Sequence, residues 1–581
     1  MKSRNVTRSS LISALVVCTF ILASSAQLRN IPPKLSPTDS TQASLLHDLL
    51  PESGQERRSQ ALQEIARTNE KRYIAPLIDL LRFVSSRQDL AVILKTLNKL
   101  TGKNWGDASE PWEQLTIWYG EHPELQPPSG YTGWKGDLHA QLIDPRFHDF
   151  FYDGAPATVR VEEAVWGGVK VDGIPALVNP HMIPAAEAHY LTDSEPVFGV
   201  SINGDNRAYP LRILDWHEMA DDIVGGKHVA LAYCTLCGSG VLFDASADGK
   251  TFEFGSSGFL FRSNKLMYDR ETNTLWNQLT GEPVIGKLAG SNIKLKVLPD
   301  VLTSWGDWRR QHPDTKVLDI KTGFDRPYEV GATYGRYFGS PDTMFPVWQQ
   351  SKLLPKKERI FAIQAAGLAK AYPLDTLNRS GGVVNDTLGS LPLVVIYRDA
   401  VGQVSLPSDW VTALHEVRGG KSHITNANDL SLADARTVLQ KHPALVKDMN
   451  ANFLLAMPTE DRLTLLHERT SEARQGSHAE EGHFAPDLRN EVAQRGLIGE
   501  TRAYQRRMHS FTASSSREGL LDEQGHGWHL TEDALVSADG ERLARLGGHL
   551  SYWFGWFSFY PKTEVYQIKP SHGIAEPSLR Q

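Results

Sequence analysis

At 581 residues the chain is several times a typical domain of about 100 to 200, so a single fold does not account for it. A hydrophobic fraction of 41% beside 22% charged and 9% aromatic residues excludes collagen-like, disordered and polytopic membrane proteins. Sixty-one Lys and Arg against 68 Asp and Glu give a net charge of −7, which leaves no cationic excess to neutralise a phosphate backbone, so no nucleic acid is expected as partner.

The chain opens on a basic start (Lys2, Arg4, Arg8), an apolar run from Leu11 to Ala23 too short to span a bilayer, and Ser24-Ser25-Ala26. Residues 1–26 therefore read as a signal peptide cleaved after Ala26. Leu15-Val16-Val17 lacks the small residue needed ahead of a lipidated Cys18. No later apolar stretch is long enough to cross a membrane, so the mature chain is expected to be extracytoplasmic, periplasmic or secreted, with no integral span.

A polar leader, 27–51, precedes a helical segment at 52–122. There Ala61, Leu62 and Ile65, then Ile74, Leu77, Ile78, Leu80 and Leu81, then Leu90, Leu94 and Leu97 recur at spacings of three and four. The paired-helix pattern resembles a short HEAT-type solenoid, a surface for a protein partner, with Trp105, Trp112 and Trp118 closing its end. The Pro- and Gly-rich stretch 123–149 reads as a linker.

From about residue 150 the texture becomes β-like and contains an internal repeat. Gly204–Leu214 (G-D-N-R-A-Y-P-L-R-I-L) matches Gly367–Leu377 (G-L-A-K-A-Y-P-L-D-T-L), and Trp305-Gly306-Asp307-Trp308 matches Trp553-Phe554-Gly555-Trp556. The spacing predicts two copies, 150–345 and 346–581. The second carries a helical insertion at about 405–508, whose histidines His442, His467, His478 and His483 read as surface residues. The fold class expected is α+β: a small N-terminal α-helical segment, then a duplicated β-rich domain with an insertion in its second copy.

Removing the leader leaves two cysteines, Cys234 and Cys237, in a CxxC. Each copy serves as a control for the other. Where the first has Trp216-His217-Glu218 and Cys234-Thr235-Leu236-Cys237-Gly238, the second has Arg379-Ser380-Gly381 and Arg398-Asp399-Ala400-Val401-Gly402. A tight turn with Gly238 at positive φ sets both sulfurs on one side. No further cysteine completes a tetrathiolate site, so His217 is the expected third ligand of an open zinc or copper centre, with Glu218 as catalytic neighbour in hydrolytic or redox chemistry. Two readings stand beside it: a thiol-disulfide redox pair, and a plain disulfide in a non-catalytic binding or assembly module. No helix follows the CxxC, which argues against a thioredoxin arrangement, and no histidine follows it, which excludes c-type haem. Ser257, Asn264, Tyr268, Asp269 and Arg270 are the candidate pocket residues. No G-x-S-x-G, H-E-x-x-H or phosphate-loop motif occurs, so neither the common hydrolases nor a nucleotide cofactor is expected.

D-G-I-P-A-L at Asp172–Leu177, A-Y-P-L-R-I-L-D-W-H-E at Ala208–Glu218, Y-C-T-L-C-G at Tyr233–Gly238 and M-Y-D-R-E-T at Met267–Thr272 resemble a bacterial family known as domain of unknown function 3179. Its usual Y-C-P-L-C-G has proline where Thr235 stands. The resemblance implies a domain identity from about Ala155 onward and no reaction.

Overall fold

The computed structural model describes residues 44–568, except 109, 400, 402, 472–483, 485 and 515–518. The expected signal peptide, most of the polar leader, His478 and His483 lie outside the described residues. The described chain is α+β, with helices first and a β-rich region after them. None of its helices is long and apolar enough to cross a membrane.

The helices of the N-terminal part include α1 (Gly54–Thr68), α2 (Ile74–Leu81), α3 (Arg87–Thr101), α4 (Pro111–Gly120) and α5 (Tyr131–Leu142). Ser86 caps α3 by accepting the Asp89 amide at 3.3 Å, and Gly102, at φ 73°, ends it in the left-handed region. The fifth helix corrects the reading of 123–149 as linker. Gly133 and Gly136 bring this helix close to the chain that follows it: a Cβ on Gly136 would lie 1.9 Å from the Phe151 carbonyl oxygen. These glycines, which suggested a loop, are a docking face. The core of this part is continuous with the β region, since Leu97, Trp118 and Leu138 share one apolar cluster with Phe259, Leu266 and Ile285.

Short strands at Ala164–Trp166, Leu177–Val178 and Met182–Pro184 open the β region; the hairpin β1 (Pro196–Ile202) and β2 (Asp205–Pro210) follows, then α6 (Leu211–His217) and a second hairpin, β3 (Met219–Val224) and β4 (Lys227–Cys234). Next come β5 (Ser239–Asp244), β6 (Phe254–Phe261), β7 (Asn264–Asp269), β8 (Leu275–Asn277), β9 (Val301–Ser304), α7 (Trp305–Gln311) and β10 (Lys316–Leu318). One sheet runs β9-β1-β2-β10 and on to Met182–Pro184, with β10 parallel to β2 and antiparallel to Met182–Pro184. A second contains β5-β4-β3, and a third β6-β7-β8.

After an irregular segment at 319–358, β11 (Arg359–Ala365), β12 (Leu368–Pro373), α8 (Leu374–Arg379), β13 (Val383–Leu388) and β14 (Leu391–Arg398) follow. Five helices come next: α9 (Ser408–Val417), α10 (Leu432–Lys441), α11 (Ala451–Ala456), α12 (Thr459–Ser471) and α13 (Pro486–Arg495). They enclose their own core around Trp410, Leu439, Phe453 and Leu465. The helical part ends at Arg495 and not near 508, because β15 (Glu500–Gln505) already pairs with β14 in the sheet. The chain closes with β16 (Gly548–Tyr552), α14 (Trp553–Phe557) and β17 (Glu564–Val565), and the sheet β16-β11-β12-β17 again has its fourth strand parallel to its third. Like contacts recur in both halves. Trp308 Nε1 donates to Thr315 Oγ1 and Trp556 Nε1 to Thr563 Oγ1, each at 2.8 Å. Tyr209 donates to Asp222 at 2.6 Å, and Tyr372 to Asp386 at 3.1 Å.

Candidate functional site

Cys234 ends β4 and pairs with Ser239 at the start of β5, so Thr235–Gly238 form the hairpin turn that carries Cys237. Gly238 has φ 56°, as the turn requires, and a strand follows it. Both thiols are free, and they are 1% and 0% exposed.

Three sides of the turn are covered by other parts of the chain. From β16, the Tyr552 amide donates to Cys237 O at 2.7 Å, and from β11 Arg359 Nη1 donates to Gly238 O at 3.0 Å. From the segment 319–358, the Tyr337 hydroxyl donates to Leu236 O at 2.6 Å, and Tyr334 hydrogen-bonds the Thr235 side chain. From β7, Asn264 Nδ2 donates to Cys237 Sγ at 3.4 Å and to Gln278 Oε1 at 2.8 Å, while Cys237 donates to Ser263 O at 3.4 Å.

Glu218 and Lys265 complete the surroundings. Glu218, at φ 53°, ends α6 in the left-handed region; its carboxylate accepts from Thr235 Oγ1 at 2.7 Å and lies 3.6 Å from Lys265 Nζ. Lys265 is 3% exposed and also donates to Glu218 O at 3.0 Å. A lysine in a strand otherwise buried throughout persists only with such partners.

The two thiols are unlike. Burial acts to raise the Cys234 pKa, but hydrogen bonds from the Cys237 side chain and from the main chain of Lys265 and Cys237 outweigh it and hold the thiol below its ordinary range. Burial, and then the neighbouring Cys234 sulfur, push Cys237 well above that range. Burial likewise lowers the Lys265 ammonium pKa, against the pull of Glu218 and Cys234.

His217 is not brought to the sulfurs. Its Nδ1 lies 2.8 Å from Pro175 O and its Nε2 2.6 Å from the Tyr328 hydroxyl. A carbonyl only accepts, so Nδ1 carries the proton, and Nε2 accepts from Tyr328, whose oxygen is in turn 2.6 Å from Thr322 Oγ1. Burial, with Arg326 nearby, lowers the imidazole to about 4, so the ring is neutral and both its nitrogens are occupied. The turn from helix to left-handed backbone at Glu218 sends consecutive side chains to different partners. The expected Cys234–Cys237–His217 set is not brought together: among the described residues no group of three or more His, Cys, Asp or Glu side chains is placed to hold a metal ion.

Of the other candidates, only Asn264 reaches the cysteines. Ser257 stabilises an irregular stretch of β6, accepting from Phe259 N at 3.0 Å and donating to Leu266 O at 2.5 Å. Asp269 closes a turn through Thr272 N at 2.6 Å and Trp276 Nε1 at 2.7 Å. Tyr268 and Arg270 join Asp172, at 2.7 and 3.1 Å, in a partly exposed ionic cluster. The sequence reading missed Lys265, Thr235, Gln278 and Arg359. The available signal was Lys265 itself, a cation among Phe259, Phe261, Leu266 and Met267.

Residues 171–563 match the family described as Protein of unknown function (DUF3179). The chain belongs to the DUF3179 family. No curated protein and no solved structure matches it. The matched DUF3179 region begins just before Asp172 and contains both the CxxC turn and the later strands that cover it.

Proposed function

We propose that this DUF3179 protein is an exported thiol-disulfide redox protein whose working pair is Cys234 and Cys237. The observation that carries the reading is the enclosed, unequal pair of free thiols, with Cys234 held toward thiolate and Cys237 kept protonated beside it. In exchange with a partner disulfide, the Cys234 thiolate attacks one partner sulfur and releases the other as thiolate. Cys237 then loses its proton and attacks the mixed disulfide at Cys234. The chain ends with a Cys234–Cys237 disulfide and the partner with two thiols, so two electrons pass to the partner. Lys265 offsets the negative charge on Cys234, and Glu218 keeps Lys265 in place. At 1% exposure Cys234 meets a partner only when the covering segment with Tyr334 and Tyr337 moves aside.

Export is supported by the basic and apolar character of residues 1–26. We further infer that 150–345 and 346–581 arose by duplication; the support is the common strand order and the paired Trp–Thr and Tyr–Asp hydrogen bonds. On this reading the dithiol belongs to the first copy, and the second copy covers it.

The test equilibrates the full chain with glutathione buffers of graded potential and maps the cysteines by mass spectrometry. A reversible Cys234–Cys237 disulfide with one midpoint is expected. Thiols that stay reduced across the glutathione range, or a disulfide that never reduces, overturn the proposal.

A further inference from the structure

In the second half of the DUF3179 region, a cavity of about 420 Å³ lies between α8, the end of β14, the loop into α12 and the end of α13. Its volume falls in the range of small-molecule sites. Four arginines line it: Arg359, Arg379, Arg462 and Arg495.

Two of these arginines have ordinary surroundings. Arg379 is exposed and donates to Asp375 O at 3.2 Å, and Arg495 pairs with Glu491 at 2.7 Å. The other two are buried, Arg359 at 2% and Arg462 at 6% exposure. Arg359 donates to the carbonyls of Gly238 and Leu497, and its Nε has no partner. Arg462 donates through Nη1 to Leu455 O at 3.0 Å and Met457 O at 3.4 Å. Among the described residues, neither has a carboxylate at ion-pair distance, and burial first, with the charge of Arg462 added, lowers the Arg359 pKa.

The acidic groups of this wall make their hydrogen bonds elsewhere or face solvent. Asp375 accepts from Thr459 N at 2.8 Å and from Thr459 Oγ1 at 3.0 Å, Asp399 accepts from Asn378 Nδ2 at 3.2 Å, and Asp429 is exposed. Glu358, next to Arg359 in sequence, is buried, and burial pushes its carboxyl well above the usual carboxylate range. Two desolvated guanidinium groups with no carboxylate at ion-pair distance, one with a free N–H, are a costly arrangement that an oxyanion would complete. Leu374, Met457 and Ile498 supply apolar wall beside them.

We propose that this cavity binds a small organic oxyanion, a carboxylate or phosphate ester with an apolar body, on Arg359 and Arg462, with Arg495 at the side. The proposal is independent of the dithiol reading. It is tested by calorimetric titration of the full chain, at low ionic strength, with inorganic phosphate, phenyl phosphate and benzoate. Saturable binding of at least one is expected, weakened about tenfold or more by Arg462→Met and several-fold by Arg495→Gln. Preference for benzoate identifies a carboxylate ligand, and preference for phenyl phosphate a phosphoryl one; either supports the site. If Arg462→Met does not fold, Arg495→Gln, at a partly exposed position, decides the matter. Absence of binding by all three anions up to about 10 mM overturns the proposal, as does binding that Arg495→Gln and a folded Arg462→Met both leave unchanged.

Discussion

Gly555 is packed directly on Cys237: a Cβ at Gly555 would stand 3.1 Å from Cys237 Cβ and 3.2 Å from its sulfur. These residues are more than 300 positions apart, and their contact closes the dithiol under the last helix of the chain, α14. Glycine is needed there for close approach and not for an unusual backbone. Gly555→Ala is expected to destabilise the fold by about 1–3 kcal/mol in denaturant unfolding. Gly547→Ala, where a Cβ meets nothing within 4 Å, is expected to stay within about 0.5 kcal/mol of the parent.

Lys265 acts on Cys234 as a buried cation in a site that excludes water. Replacing it by methionine removes that attraction and leaves Glu218 with the Thr235 hydroxyl. Lys265→Met is therefore expected to move the onset of Cys234 thiolate formation to higher pH, read from the 240 nm thiolate absorbance.

His217 makes stability depend on acidity in a defined sense. Its pKa falls from the ordinary value of about 6.5 to about 4 on folding, so the folded state refuses a proton that the unfolded state binds. Its contribution is fully present above pH 6.5 and is lost as pH falls from about 6.5 toward 4, by an amount on the order of 3 kcal/mol. His217→Gln, which keeps a donor and an acceptor, is expected to unfold with a shallower loss of stability over that window. An equally steep loss in the variant contradicts the assignment of a neutral, doubly hydrogen-bonded ring.

The paired Trp–Thr hydrogen bonds give a test of the proposed duplication. Thr315→Val and Thr563→Val each leave a buried indole N–H without a partner, and each is expected to cost roughly 1–3 kcal/mol. A large cost at one site and none at the other would break the equivalence drawn between the halves.

Much of the fold was legible because it rests on local pattern. The 3.6-residue spacing of Ala61, Leu62 and Ile65 and of Leu432, Ala435 and Val438 marked helices that are present, and A-Y-P-L marked the same hairpin-to-helix step at Tyr209 and Tyr372. The fifth helix escaped because Gly133 and Gly136 read as loop while serving a packing contact that only the fold reveals. Strand β15 escaped because it is short, polar and paired with residues 102 positions earlier.

The site was legible only in its chemistry. The CxxC, Glu218 and Asn264 were found by residue type and by the contrast between the two halves. The direction of His217 was not, because one left-handed residue at a helix end decides it. Arg359 was invisible because it reaches the turn from a strand 121 residues later.

The most direct measurement is a pH titration of thiolate absorbance at 240 nm in the reduced protein, beside Cys234→Ser and Cys237→Ala. The account predicts a step below the ordinary thiol value of about 8.5 that vanishes in Cys234→Ser and moves upward in Cys237→Ala, where the stabilising S–H donor is lost. A step at or above that value, or one that vanishes only in Cys237→Ala, would contradict it.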